Sequence, residues 1–289
     1  MKRFLRSCIL FLVVAALVAC NASERQPAQA EKPGLVKATN AFVKEFGPAP
    51  AVEKGTAYAF VIYFPSAKEK GKVLPFPFFS FDEASLKKVA LTKLIGGLGD
   101  LKSYQGEIAQ PFPPGTRLLE LQQAERTTTA VFSKELAAAW SDQGLVNAVV
   151  LTLKQFEGVD RVVIRVEGAP GIVDKEAQKA DQSAVLPLGS PRLLSVTGMK
   201  EKGAATVEEV DAFFDRPVQI KELRLSAADG TPFEGEIFQS VFDMAGVLKP
   251  KSPAKFSAGL PVKVRWNVTD KVGRNSSGET QMLLEVREH

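Results

Sequence analysis

The stretch Thr152-Leu153-Lys154-Gln155-Phe156-Glu157-Gly158-Val159-Asp160-Arg161-Val162 decides how this chain is read. Upstream of it, Leu145, Val146, Val149, Val150, Leu153 and Phe156 recur with a period near 3.6, which predicts a long helix over residues 134–156. Phe156 closes the apolar face of that helix, and Gly158 permits the left-handed residue that ends it. Val162, Ile164 and Val166 then alternate, so a buried strand is predicted over residues 159–166.

Toward the amino terminus, residues 117–122 and 127–132 are β-prone and read as a hairpin around residues 123–126. A rigid proline loop, Pro111-Phe112-Pro113-Pro114-Gly115-Thr116, precedes it. Ser80-Phe81-Asp82-Glu83 fits a capping box, which predicts a helix to about Ile95 ended by Gly96-Gly97. The glycines of residues 96–100 follow a helix and lack the order of a phosphate-binding loop. Residues 58–64 and 73–79 read as strands. In the second, Leu74, Phe76 and Phe78 share a face, while Pro75 and Pro77 remove ladder donors and mark an edge strand. Its phenylalanines read as core in preference to a partner-binding patch. Residues 20–55, rich in Ala, Pro, Glu, Lys and Gln, read as a flexible tether, with a short helix open to residues 36–46. Ordered structure is expected from about Thr56.

Toward the carboxyl terminus, residues 171–189 read as a linker with a charged helical turn at 174–181. After it the pattern turns to short strands, at residues 192–197, 207–214, 219–226, 235–242, 261–268 and 279–286. Val262, Val264, Trp266 and Val268 alternate, and Asp229-Gly230 and Ser277-Gly278 mark turns. Strands at this spacing predict a β-sandwich over residues 190–289. The fold class is therefore α+β over residues 56–170, followed by an all-β sandwich.

Composition bounds the chemistry. The chain has 289 residues, with 37 Lys and Arg against 33 Asp and Glu. Lys2, Arg3 and Arg6 account for most of that excess, so the body is nearly neutral and carries no signature of nucleic-acid binding. The single His is His289, the last residue, which excludes most imidazole catalysis and metal chemistry. Residues 9–18 form an apolar run too short to span a bilayer, which takes about 20 residues, and fit the core of a secretory signal. The run ends in Leu17-Val18-Ala19-Cys20, which resembles the lipobox of bacterial lipoproteins. The resemblance implies a signal peptide over residues 1–19, cleavage before Cys20, and Cys20 as the lipidated residue anchoring the chain to a membrane. Asn21 in place of Asp then favours the outer membrane in a host that has two. Cys8 would leave with the signal, so no thiol remains for a disulfide, a nucleophile or a metal.

The Thr-Leu-x-x-Phe-x-Gly-Val run at residues 152–159, closed by Gly168, resembles the signature of GerM domains. Leu91 to Gly97 is similar to the end of that family's first helix. Pro113-Pro114-Gly115-Thr116-Arg117-Leu118-Leu119 is similar to its entry to the hairpin, and Phe132-Ser133-Lys134-Glu135-Leu136 to its hairpin exit. The resemblance covers residues 56–170. It implies a small α/β module related to ring-building motifs, in extracytoplasmic lipoproteins, some of them acting in sporulation and spore germination. It implies no catalytic residues. Spore lipoproteins often carry two such domains, whereas this chain has one. Residues 190–289 resemble a bacterial Ig-like domain, through Phe214-Asp215-Arg216-Pro217-Val218 and through Val264-Arg265-Trp266-Asn267-Val268-Thr269-Asp270 with Gly273. The second segment is similar to the last hairpin of periplasmic copper-binding sandwiches. Those proteins use His and Met, and here His289, Met199, Met244 and Met282 have no motif spacing; Trp266 and Met282 read as core.

Three functional classes follow. The leading one is a non-enzymatic, membrane-anchored envelope lipoprotein that docks envelope proteins through residues 73–79 and the helices of the first domain, with self-assembly open to it. The second is binding of peptidoglycan or another glycan, for which Trp140, beside Ser141-Asp142-Gln143, is the candidate stacking ring. The third, a hydrolase with paired carboxylates, has no motif to support it; Asp82 and Glu83 read as helix-start residues. No catalytic residue, cofactor site or metal site is assigned.

Overall fold

The computed structural model describes residues 34–98, 101–110, 112–139, 141–169 and 182–288. At its centre is β2 (Thr56–Pro65), in which all residues after Thr56 are buried. The unbroken run Ala57-Tyr58-Ala59-Phe60-Val61-Ile62-Tyr63-Phe64 explains this: with no polar face, a strand is stable only when covered on both sides. β1 (Leu35–Ala38) pairs with its first half in parallel, and β3 (Val73–Ser80) pairs antiparallel along its length. Between β1 and β2 runs α1 (Asn40–Phe46), whose cap Thr39 accepts a hydrogen bond from the Phe42 amide. Regular structure is therefore already present from Leu35, ahead of Thr56. The expectation of a tether through residue 55 is corrected: the apolar residues of residues 35–46 are used, Phe42 and Phe46 being buried in the core. The part of that tether before Gly34, the signal segment and Cys20 lie outside the described residues.

α2 (Leu86–Gly96) begins later than the sequence predicts. β3 continues through Ser80, and Asp82 closes a turn instead, its carboxylate accepting from the Ala84 amide and the Ser85 hydroxyl. Gly97 ends the helix, as expected, with a φ of 73°. β4 (Leu118–Ala124) and β5 (Thr127–Phe132) form the predicted hairpin, and β6 (Arg161–Val166) adds to β5 in parallel. The long helix expected over residues 134–156 is two pieces, a 3-10 turn at Lys134–Ala138 and α3 (Gln143–Lys154). The break has a local cause: the Asp142 carboxylate accepts from the Gly144 amide, so the chain restarts a helix with its own cap.

α3 is buried from Gly144 to Leu153, which fits its apolar character on all sides. It runs along the edge of β2 beyond the point where β1 stops, and its side chains replace the missing strand. The Thr152 hydroxyl accepts from the Tyr63 amide at 3.1 Å. The Gln155 amide group pairs with both main-chain groups of Val61, its Oε1 accepting from the amide at 2.7 Å and its Nε2 donating to the carbonyl. Thr39 donates to the same Gln155 Oε1 at 3.0 Å, tying in the start of α1. Gly158, at a φ of 77°, then turns the chain into β6.

The second half is a sandwich. One sheet runs β10 (Gly235–Gln239), β11 (Ala245–Pro250), β8 (Glu209–Phe214), β7 (Leu193–Lys200) and β14 (Glu285–Glu288); the other runs β13 (Asn275–Leu283), β12 (Pro261–Asp270) and β9 (Val218–Ala227). Their inner faces meet through Val196, Val210, Ala212, Phe214, Leu225, Val262, Val264 and Val268, with Trp266 and Met282 packed at the margin. Gly246 lies so close beneath Leu223 that an added Cβ would sit 2.4 Å from its methyl group. β11 escaped the sequence reading, since Ala245-Gly246 looks like a break. Ser277-Gly278 is not a turn: it lies within β13, where Gly278 leaves room for the Trp266 ring. The turn is one step earlier, where Asp270 accepts from the amides of Val272 and Arg274.

The two hydrophobic cores meet across a polar and aromatic seam. Phe79 of β3 stacks on Phe242 at 4.1 Å, the planes 8° apart, although Phe242 takes a φ of 66° to do so. Arg216 is buried and makes a two-point ion pair with Asp215, donates to the Gly189 carbonyl at 2.9 Å, and lies 3.7 Å from Asp270. Arg274 bonds Asp270 and reaches across to the Glu45 carbonyl at 2.9 Å. Arg192 meets Glu107 at 3.0 Å, and Ser103 donates to the Leu194 carbonyl. Residues 182–189 of the expected linker lie against β3, with the Leu186 amide donating to the Val73 carbonyl. The charged turn expected at 174–181 lies outside the described residues.

Two outcomes follow. Thr152→Val keeps the shape but leaves the buried Tyr63 amide unmet, which costs about 1–3 kcal/mol and lowers the urea midpoint; an unchanged midpoint would show that the amide has another partner. Burial works against ionisation of Glu107, but hydrogen bonds and charge from Arg192 and Lys68 outweigh it and hold its carboxyl below the ordinary value of 4.5. A lowered folded-state value stabilises the fold above that ordinary value and is lost as pH falls through the folded one. Glu107→Gln is therefore less stable than the wild type at pH 7, and the gap closes as unfolding is measured at pH values falling below 4.5.

Candidate functional site: a groove between two strand edges

A concavity of about 1060 Å³ lies in the first half, in the angle between its two small sheets. One wall is the end of β1 with the start of α1, Lys37 to Asn40. The other is β4, from Leu118 to Gln123. Tyr58, Ala59 and Phe60 of β2, the first turn of α2, and Gln155 to Glu157 complete it. β1 and β4 each stand at the end of their sheet. Consecutive β4 residues line the groove, so the strand presents its edge there, and alternate main-chain N–H and C=O groups face the space without a strand to pair with.

Charges in the groove are balanced and largely engaged. Lys37 meets Glu83 at 3.4 Å, and Lys87 donates to Gln123, which donates in turn to the Gly158 carbonyl. Glu83 is hydrogen bonded to Tyr58 and to Lys37, which lowers its carboxyl below the usual range, and the Glu83 hydrogen bond raises the Tyr58 phenol. The rings of Tyr58, Phe60 and Phe156 are buried, so none offers an open face. Thr128, opposite Gln123 on β5, is fully buried, and its hydroxyl has no hydrogen-bond partner.

The surface expected at residues 73–79 is not exposed. β3 is an edge strand, but Val73 and residues 75–77 are buried beneath residues 182–186 and the aromatic side chains around Tyr104. Its prolines present no N–H, and the Val73 carbonyl is already taken. The edge that faces the groove along its length is β4, which the sequence places as a strand without assigning it that role. A signal was present: Glu120-Leu121-Gln122-Gln123 is polar on both faces, which is unusual for a strand covered by its neighbours. Cys20, Trp140 and His289 lie outside the described residues. Among the described residues no group of three or more His, Cys, Asp or Glu is placed to hold a metal ion. Met199 lies in β7, Met282 in β13, and Met244 just before β11. Asp82 and Glu83 do not form a facing carboxylate pair; Asp82 closes the turn and Glu83 bonds Tyr58 and Lys37.

Comparison with known proteins places this half of the chain. Residues 61–172 match the family model Germane, described as sporulation and spore germination. The chain carries a GerM-type domain, in the stretch where the motifs lie. The first GerMN domain of the sporulation protein GerM from Bacillus subtilis is similar at 23% identity, over 43% of this chain and 95% of that one, with a TM-score of 0.34. PcoC, a methionine-rich copper resistance protein from Escherichia coli, is similar at 15% identity, over 34% of this chain and 100% of that one, with a TM-score of 0.25. No curated protein matches. The fold is an α+β module followed by a β-rich one, and the family description names no catalytic activity.

Thr128→Val removes an unmet buried hydroxyl at nearly constant shape. Burying a hydroxyl without a partner is unfavourable by about 1–3 kcal/mol, so the variant raises the melting temperature; a fall would show that the hydroxyl is satisfied in solution.

Proposed function

We propose that this chain is a non-enzymatic envelope lipoprotein that serves as an assembly module, anchored by lipid on Cys20 and docking other envelope proteins through its GerM-type domain. The observation that carries the reading is the β4 groove: a domain of a sporulation and germination family presents an unpaired strand edge beside a neutral cleft. Such an edge gives main-chain hydrogen bonds to a protein partner and no chemistry to a substrate. The lipobox supports the anchor, and among the described residues no helix is long and apolar enough to cross a membrane. Peptidoglycan binding is the second reading, and the buried rings of the groove weigh against it. Self-assembly through the same domain belongs to the proposal as one form of docking.

The test is crosslinking in cells, with mass spectrometry of the captured species. Point variants suit it better than domain deletion, because Arg274 draws on Glu45 across the seam. A specific envelope protein captured by the wild type and lost on substitution along β4 is the expected result. Capture of peptidoglycan fragments alone overturns the assembly role. Cys20→Ala should release the chain from the membrane fraction and abolish labelling by a fatty-acid analogue; persistence of both would remove the anchor from the proposal.

A further inference from the structure

Resting on that reading, we infer that the groove takes an extended, uncharged segment of a partner polypeptide, added as a new strand to the free edge of β4.

Size is the first argument. A strand matching the seven residues of β4 is about 23 Å long, and the groove is lined along β4 from Leu118 to Gln123, so an added strand has room to run beside it. Charge is the second. Lys37, Lys87 and Lys88 stand against Glu83, Glu120 and Glu157, and Lys37 and Glu83 are paired. A polyanion or a polycation finds no net attraction here, whereas a neutral segment brings no unmatched charge. The surrounding chemistry is the third. Sugars bind proteins across open aromatic faces, and Tyr58, Phe60 and Phe156 are buried. What the groove offers is main-chain groups on β4 and the amide side chain of Asn40, which match the donors and acceptors of a peptide backbone. Leu119, exposed on β4, gives such a strand an apolar neighbour. Of the usual guards the edge carries a register shift between Leu118 and Glu120 and the charge of Glu120, both toward its start, and from Leu121 to Ala124 it has no proline, no charge and no bulge.

The experiment uses the full chain in detergent and a phage-displayed library of random eight-residue peptides, with chitotetraose as the sugar arm. Selected peptides are resynthesised and amide hydrogen exchange is followed residue by residue. The expected result is slowed exchange of alternate amides in Leu118–Ala124 when peptide is bound, and no effect of the sugar. Leu121→Pro and Gln122→Pro give a second measurement. Because successive amides point to opposite sides, one of the two removes an outward N–H and leaves the ladder to β5 intact. That variant should bind roughly tenfold more weakly than the alanine variant at the same position, the loss of about one hydrogen bond; Leu121→Ala and Gln122→Ala are the controls, because the Leu121 side chain packs against the core. Exchange in wild-type protein remains decisive if neither variant folds. Protection mapping elsewhere, protection by chitotetraose, or the same amides protected by concentration alone, which would assign the edge to a second copy, each overturn the peptide occupant. An envelope protein crosslinked through another surface overturns this inference and leaves the assembly role standing. Absence of any protein partner in cells overturns the assembly role itself.

Discussion

The structure depends on how the open edge of β2 is satisfied. β2 is buried along nearly its whole length, yet β1 covers only its first half. The main chain at Val61 and Tyr63 would otherwise be left in the core without partners, a cost that few folds sustain. Thr152 in the last turn of α3 and Gln155, which caps that helix, meet those groups. Gln155 does so with both ends of its amide, as a residue of a neighbouring strand would. α3 can therefore lie buried between the two small sheets and join them into one core. Everything around the groove follows: β1 ends where α3 takes over, β4 stands free on the other side, and the angle between them stays open.

Much of this was legible because the decisive residues are local. Period, glycine stop and alternation in residues 145–166 placed α3, the turn at Gly158 and β6, since each is set by neighbours in sequence. The failures share another cause. The Ser80 capping box was outweighed by pairing of Ser80 with Tyr58 across β2 and β3. The expected helix is interrupted at Asp142, whose carboxylate caps a new helix from Gln143; Ser141-Asp142-Gln143-Gly144 holds that signal between two apolar stretches. Residues 35–46 looked solvated because their few apolar side chains find their partners far along the chain, as Phe42 does on Phe79. Ser277-Gly278 has turn composition, but its glycine answers to the bulk of Trp266 on the facing strand.

The site was less legible than the fold. An edge strand is defined by what does not pair with it, and no residue encodes an absence. Pro75 and Pro77 named β3 correctly as an edge, yet the same prolines helped to make it a surface that other parts of the chain cover. β4 carried no such marker, only a polar run that could equally have been a solvated hairpin. The Thr-Leu-x-x-Phe signature located the domain without locating the groove, because its Thr and Phe serve the core; the unspecified position held by Gln155 contributes as much as the named ones.

The charged cluster at the seam bears on how such a chain can change over generations. Asp215 and Arg216 occupy the unspecified positions of the Phe-x-x-Pro-Val bend, and with Asp270 and Arg274 they reach main-chain carbonyls at Gly189 and Glu45. A recombination event that joined a different sandwich after residue 189 would bring no arginine to Glu45 and would leave the Phe79 ring without its stacking partner. A replacement sandwich would have to bring its own equivalents of Arg274 and Phe242 to keep the seam closed.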